Sequence, residues 1–233
     1  MSSYRTLRTY DQCRYANVIY NCDVSAEPLV VENFDIPRDP NTCANYGKNR
    51  CILHNPKTGG TSFNKIIEAN DDLYRAVGHA ITQNNDNEVV VIRNPVERFK
   101  SAINFMRYVG HRDNTKYLQN FTSFVDMMKN TSLEKLYDEV LNKDVVFVPQ
   151  IHWIGTKSTI LCYEKGLENE FKDKLNMDLT FPKLNTKDDP CSLADKAPTE
   201  EEREFYWKDS DALVNQVVNH FYKVDIEIYN QKC

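Results

Sequence analysis

At 233 residues the chain is long enough for one well-packed α/β domain and too short for two full-sized ones. Its hydrophobic fraction of 41%, charged fraction of 27% and formal net charge of −5 are ordinary for a globular chain. They exclude a global positive field that would recruit nucleic acid, but leave room for a local basic pocket.

No apolar run reaches the length needed to span a bilayer. The polar, Tyr-rich start has neither signal-peptide nor anchor character, so a cytoplasmic or intracellular location is expected. Seven cysteines, Cys13, Cys22, Cys43, Cys51, Cys162, Cys191 and Cys233, are widely spaced. None falls in a CxxC or a Cys/His cluster of zinc-finger spacing, so no metal site is expected. Without an export signal, reduced thiols are the expectation. Two N-x-S/T sequons, at Asn120 and Asn130, would matter only in an exported protein and read as accidents of an Asn-rich chain.

Residues 1–50 are polar, rich in Tyr and Asn, and broken by Pro28, Pro37 and Pro40. They are expected to pack on the main domain, residues 51–233, as an irregular extension. From Cys51 the pattern sharpens. Cys51-Ile52-Leu53-His54 reads as a buried strand that stops at Pro56 and a Gly pair, and Thr61 to Asn70 as a helix with Phe63, Ile66 and Ile67 on one face. The β-branched run Val89-Val90-Val91-Ile92 suits a central parallel strand covered on both faces. Pro95 can open the next helix, which carries Phe99, Ala102, Ile103 and Met106 at helical spacing. Strand, turn and helix thus occur twice, which predicts an α/β fold with a central, mainly parallel sheet.

Further along, 121–129 and 132–142 read as helices, 158–163 as a strand and 180–198 as a loop. Thr199-Glu200-Glu201-Glu202 reads as a capping box that opens the C-terminal helical stretch.

Two segments carry the chemistry. In His54-Asn55-Pro56-Lys57-Thr58-Gly59-Gly60-Thr61-Ser62-Phe63, two glycines between a strand and a helix let consecutive backbone N–H groups converge on an anion. Lys57 adds a full charge and Thr58, Thr61 and Ser62 add hydroxyls. In a Walker A loop the Lys follows the glycines; here it precedes them. The second segment is Arg93-Asn94-Pro95-Val96-Glu97-Arg98-Phe99-Lys100-Ser101. Arg93 ends a buried-looking strand, where a guanidinium is costly unless an anion meets it. Ser101, about two turns on, can add a hydroxyl to the same anion, while Arg98 reads equally as a helper or a salt-bridged surface residue. The bland reading of both segments is a tight turn with a solvated Lys and an ordinary helix start.

The pairing PKTGGTSF then RNPxxRxxS, with Lys57 and Arg93 36 positions apart, resembles the two binding signatures of sulfotransferases for 3′-phosphoadenosine 5′-phosphosulfate (PAPS). The likeness is closest to carbohydrate sulfotransferases of the heparan and uronyl 2-O type and their bacterial relatives. Pro149-Gln150, Cys162-Tyr163-Glu164, the loop Lys183 to Lys187 and Tyr222-x-x-Asp225 resemble later landmarks of that family.

The resemblance implies a P-loop-type three-layer αβα domain, PAPS as donor and adenosine 3′,5′-bisphosphate as product, a carbohydrate acceptor and no metal. Lys57, Thr58, Gly59, Gly60, Thr61 and Ser62 would grip the 5′-phosphosulfate, and Arg93 with Ser101 the 3′-phosphate. Lys57 would stabilise the leaving group, and Lys183 to Lys187 would form a lid. His79, between the two segments, is the expected base, because an imidazole titrates near neutrality. His111 and His152 could line an acceptor cleft, His54 reads as core, and Asp86 and Glu97 are nominal carboxylate bases.

Golgi members of the family carry a membrane anchor, and no such anchor is expected here. Other readings are a sulfotransferase acting on protein tyrosine or a small alcohol, a P-loop nucleotide kinase, and a noncatalytic protein that keeps a nucleotide pocket.

Overall fold

The computed structural model describes residues 7–8, 30–31, 50–59, 62–63, 66–67, 70–75, 82, 84–108, 113–181 and 199–233. Within the N-terminal fifty residues, strands β1 (Leu7–Arg8) and β2 (Val30–Val31) form a short antiparallel pair. How that segment packs on the domain lies outside the described residues.

The main sheet has four parallel strands: β3 (Arg50–Leu53), β4 (Leu73–Arg75), β5 (Glu88–Ile92) and β6 (Thr159–Cys162), in the order β4-β3-β5-β6. Every residue of β5 is buried, as its unbroken β-branched run requires of a strand covered on both faces. Alternation along β3 and β5 separates two apolar clusters. Cys51, Leu53, Val90 and Ile92 pack with Val148, Ile151, Trp153 and Ile228. Ile52, Val89 and Val91 pack with Phe63, Ile66, Leu161 and Phe171. The protein is therefore an α/β domain whose parallel sheet is covered on both faces.

After β5, helix α1 (Pro95–Tyr108) begins at Pro95, as its sequence predicts. Asn94 caps it by accepting from the Val96 and Glu97 amides at 3.0 and 3.3 Å. Phe99, Ala102, Ile103 and Met106 are buried in a third, helical core. That core also takes residues from α2 (Asp113–Gln119), α3 (Phe124–Asn130) and α4 (Leu133–Leu136), the last continuing as a π-helical turn over Tyr137–Leu141. Helix α5 (Leu167–Leu175) packs on β6, and α6 (Glu200–Trp207) opens with the expected Thr199/Glu202 capping box. Helices α7 (Asp211–Phe221) and α8 (Lys223–Lys232) close the described chain. Among the described residues no helix is long and apolar enough to cross a membrane.

The expectation of reduced thiols is corrected. α8 brings its end to the end of β6, and Cys162 and Cys233 form a disulfide with Cα atoms 5.7 Å apart. Cys51 is disulfide-bonded as well. Disulfides persist in oxidising surroundings, so the thiols no longer support a cytosol-like compartment.

Candidate functional site

The loop after β3 is shaped by its own hydrogen bonds. Thr58 Oγ1 donates to the Asn55 carbonyl at 2.7 Å, and the Ser62 and Phe63 amides donate to the Gly59 carbonyl at 3.0 and 3.3 Å. Lys57 sits at φ +66° and Gly59 at φ +93°. The left-handed region is strained for a lysine, and such strain is concentrated at ligand-binding turns. Among the described residues the backbone amides of Lys57, Thr58 and Gly59 find no acceptor. They are three consecutive donors at the carboxyl end of a central strand.

The loop after β5 lies beside it. Arg93 Nη1 donates to the Lys57 carbonyl at 3.3 Å. Arg98 is buried, 3% exposed, and its Nε and Nη2 donate to the carbonyls of Pro56 and Val148 at 3.1 and 2.8 Å. Lys57 Nζ stands 4.2 Å from the centroid of the Phe105 ring on α1. Among the described residues no carboxylate pairs with Lys57. Burial, and then the Arg93 and Arg98 charges, push its pKa down to about 8.

This cationic cluster sits where connections diverge. β3 is followed by β4 on one side and β5 on the other, and the crevice outside the carboxyl ends of such strands is where open α/β sheets bind ligands.

Tyr163, just beyond β6, joins the two loops. Its ring lies 4.9 Å from the Arg93 guanidinium carbon, and a Cβ on Gly59 would come within 3.2 Å of its Cε2. Glu164 accepts from the Asn94 amide at 3.0 Å and from Tyr229 Oη at 3.1 Å, and lies 3.8 Å from Arg93 Nε. That distance is too long for a hydrogen bond, and Nε is otherwise buried without a partner.

Gln150 links the loops from below. Its Oε1 accepts from Asn55 Nδ2 at 3.1 Å and from the Arg93 amide at 2.9 Å, and its Nε2 donates to the Arg93 carbonyl at 2.8 Å. Behind it, Asp225 on α8 accepts from the Gln150 and Ile151 amides at 2.7 and 3.0 Å. Burial raises the Asp225 pKa to about 6, against the lowering effect of Arg98 and the two amides.

Of the residues expected from sequence, Lys57, Gly59 and Arg93 are brought together. Thr58 is nearby, but its hydroxyl proton is committed to Asn55, which leaves its amide as the donor. Ser62 is helical and half-buried. Ser101 is half-buried on α1, and its hydroxyl makes no hydrogen bond with a described residue outside the helix. Gly60, Thr61, His79, His111 and the loop Lys183 to Lys187 lie outside the described residues.

Arg98 is neither a surface residue nor a free ligand-binding cation. Burial turns it into a clamp on the first loop. Asp86 pairs with Lys157 at 3.2 Å, and both precede their strands, so they lie at the end of the sheet away from the loops. His54 is half-buried where β3 ends, and Glu97 is exposed in the first turn of α1. His152 lies in the short 3-10 turn Gln150–Trp153, and its carbonyl accepts from the Thr82 amide at 3.3 Å. Gln150, Tyr163, Glu164 and Asp225 stand out in the sequence only as landmarks of the resemblance; Phe105 carries no such signal.

Comparison of the chain with protein-family models, with characterised proteins and with solved structures finds no match.

Proposed function

We propose that the chain is a sulfotransferase with a P-loop-type fold that binds PAPS in the crevice between the ends of β3 and β5 and sulfates a hydroxyl of a carbohydrate. The supporting observation is the contact of Arg93 Nη1 with the Lys57 carbonyl at 3.3 Å, which places two cations of separate motifs at one crevice. The residues present suit a polyanion. Among the described residues three loop amides lack acceptors, Arg93 Nε is buried without a hydrogen bond, and Lys57 has cations rather than carboxylates around it.

The bound donor supplies an activated sulfuryl group, and its transfer to a hydroxyl leaves adenosine 3′,5′-bisphosphate. In this reading Lys57 and the amides of Lys57, Thr58 and Gly59 hold the 5′ end and meet the negative charge that develops on the leaving oxygen. Those donors are already oriented by the loop's own bonds, so little reorganisation accompanies the reaction. Arg93, stacked on Tyr163 and aligned by Gln150, holds the 3′-phosphate. Phe105 and Tyr163 give the crevice apolar walls that strengthen these charge interactions. Gly60, Thr61 and Ser62 are proposed to add to the grip on the 5′ end, Ser101 is the proposed hydroxyl partner of Arg93, and His79 is the proposed base that takes the acceptor proton.

Thermal denaturation with adenosine 3′,5′-bisphosphate, ATP and ADP tests the reading. A ligand at one hundred times its dissociation constant adds about 2.7 kcal/mol of stability. The bisphosphate is expected to stabilise most; larger stabilisation by ATP in the presence of magnesium would favour a nucleotide kinase instead.

A further inference from the structure

We infer that Gln150, fixed from behind by Asp225, is a positioning residue that sets the spacing of the two anion-binding loops; the inference rests on the function proposed above and identifies what holds its two halves in register. Gln150 is 1% exposed, so it does not reach the crevice itself. Its amide brackets the backbone of Arg93, accepting from the N–H at 2.9 Å and donating to the carbonyl at 2.8 Å. The same Oε1 accepts from Asn55 at 3.1 Å, and Asn55 Nδ2 also donates to the Val91 carbonyl at 2.9 Å. Asn55 stands two residues before Lys57. One side chain therefore fixes the start of the first loop against the start of the second, and neither can slide without leaving buried polar atoms unpaired.

Gln150 is itself immobilised. Pro149 precedes it, and the two oxygens of Asp225 accept from its own amide and that of Ile151. Among the described residues Arg98 and Tyr222 are the charged and titratable groups that interact with Asp225, and Arg98 in turn donates to Pro56 in the first loop. The chain of contacts runs from α8 through Asp225 and Gln150 to Asn55 and Arg93. An apolar residue at this depth would leave the Arg93 N–H and C=O without these partners. What Gln150 adds is the relative placement of the Lys57 and Arg93 backbones.

The test compares wild type with Gln150→Leu, Gln150→Glu and Tyr222→Phe. The last removes a buried bond from Tyr222 Oη to the Phe147 carbonyl, 2.8 Å, in the same region, while the bonds of Asp225, Gln150, Asn55 and Arg93 keep their partners. Adenosine 3′,5′-bisphosphate is titrated calorimetrically into each. Gln150→Leu is expected to bind roughly tenfold or more weakly, Gln150→Glu to fall in between, and Tyr222→Phe to keep wild-type affinity while losing thermal stability. In parallel, Lys57 is acylated with acetic anhydride from neutral to alkaline pH, and the extent is read by peptide mass spectrometry. The labelling midpoint is expected to rise in the Gln150 variants, because Arg93 is no longer held beside Lys57, and to stay fixed in Tyr222→Phe.

Unchanged affinity and midpoint in a folded Gln150→Leu, or equal losses in Tyr222→Phe, overturn the inference. If Gln150→Leu does not fold, Gln150→Glu keeps the acceptor oxygen, puts a second oxygen where the donor to the Arg93 carbonyl stood, and carries the affinity readout. If wild type ignores the bisphosphate, the proposed function fails, and the Lys57 midpoint alone decides the role of Gln150.

Discussion

A Cβ atom on Gly59 would lie 3.2 Å from Cε2 of Tyr163 and 3.4 Å from Cδ1 of Leu167, at a backbone φ of +93°. The glycine therefore meets two demands, a left-handed turn and close approach of the loop to the residues after β6. Gly59→Ala is expected to cost about 1–2 kcal/mol, from positive-φ strain and the displaced Tyr163 ring. Tyr163 also stacks on Arg93, so adenosine 3′,5′-bisphosphate affinity should fall as well. Gly166, at φ +85°, is the comparison. Among the described residues a Cβ there meets only Asn169 Nδ2, at 3.3 Å, the end of a flexible side chain. Gly166→Ala should lower the melting temperature without changing affinity, as melting curves and calorimetry will show.

Lys57 supplies a pH signature. Its pKa falls from 10.5 to about 8 on folding, by burial first and the two arginines second. Between those values the unfolded chain carries a proton that the folded chain lacks, so stability rises with pH across this window. Below about 8 the buried charge costs stability, on the order of 3 kcal/mol by the size of the shift. Lys57→Met should therefore raise the melting temperature at neutral pH and flatten the rise between pH 8 and 10.5. The same variant should lose adenosine 3′,5′-bisphosphate binding. In wild type an anion favours the charged lysine, so its affinity should fall as pH passes about 8. Calorimetric titrations across that range check the sign.

The local elements were legible wherever periodicity is strong. Val89 to Ile92 is an unbroken β-branched run and proves fully buried, and Phe99, Ala102, Ile103 and Met106 are all buried on α1. β4 was not legible, because a three-residue strand is too short for its alternation to show. The juxtaposition of Lys57 and Arg93 depends on β3 and β5 being neighbours, and strand order is set by crossovers rather than by any local pattern. The role of Gln150 was illegible for the same reason, since its partners are 57 and 95 residues away. The sequence leaves Arg98 equally a helper or a surface residue, and only the Val148 and Pro56 carbonyls brought to it by the fold make it a buried clamp.

The disulfide from Cys162 to Cys233 fastens the end of α8 to the strand that leads into Tyr163 and Glu164. The cysteines are 71 residues apart, and closing a loop of that length in the unfolded chain is worth about 4 kcal/mol in the chain-entropy model. Cys233→Ser should lower stability by about 2–4 kcal/mol in chemical denaturation. Reduction of wild type should move its midpoint toward that of the variant. Because α8 also carries Asp225 and Tyr229, which hold Gln150 and Glu164, bisphosphate affinity should weaken alongside.

Asp225 gives a signature of opposite sense at acid pH. Burial raises its pKa from 3.8 to about 6, more than Arg98 and the Gln150 and Ile151 amides lower it. Between these values the folded protein holds a proton that the unfolded chain has released, so its contribution to stability is full below 3.8 and is lost as pH rises through about 6. Asp225→Asn cannot ionise, and the wild-type-minus-variant difference in unfolding free energy should therefore slope downward across that window and level off above it. Asp225→Ala is a harsher change. It leaves Arg98 buried without its nearest compensating charge and two amides without acceptors, at a cost of about 3–5 kcal/mol. A flat difference curve for Asp225→Asn would mean that Asp225 titrates as an ordinary aspartate, and that its burial is balanced by Arg98 and the two amides.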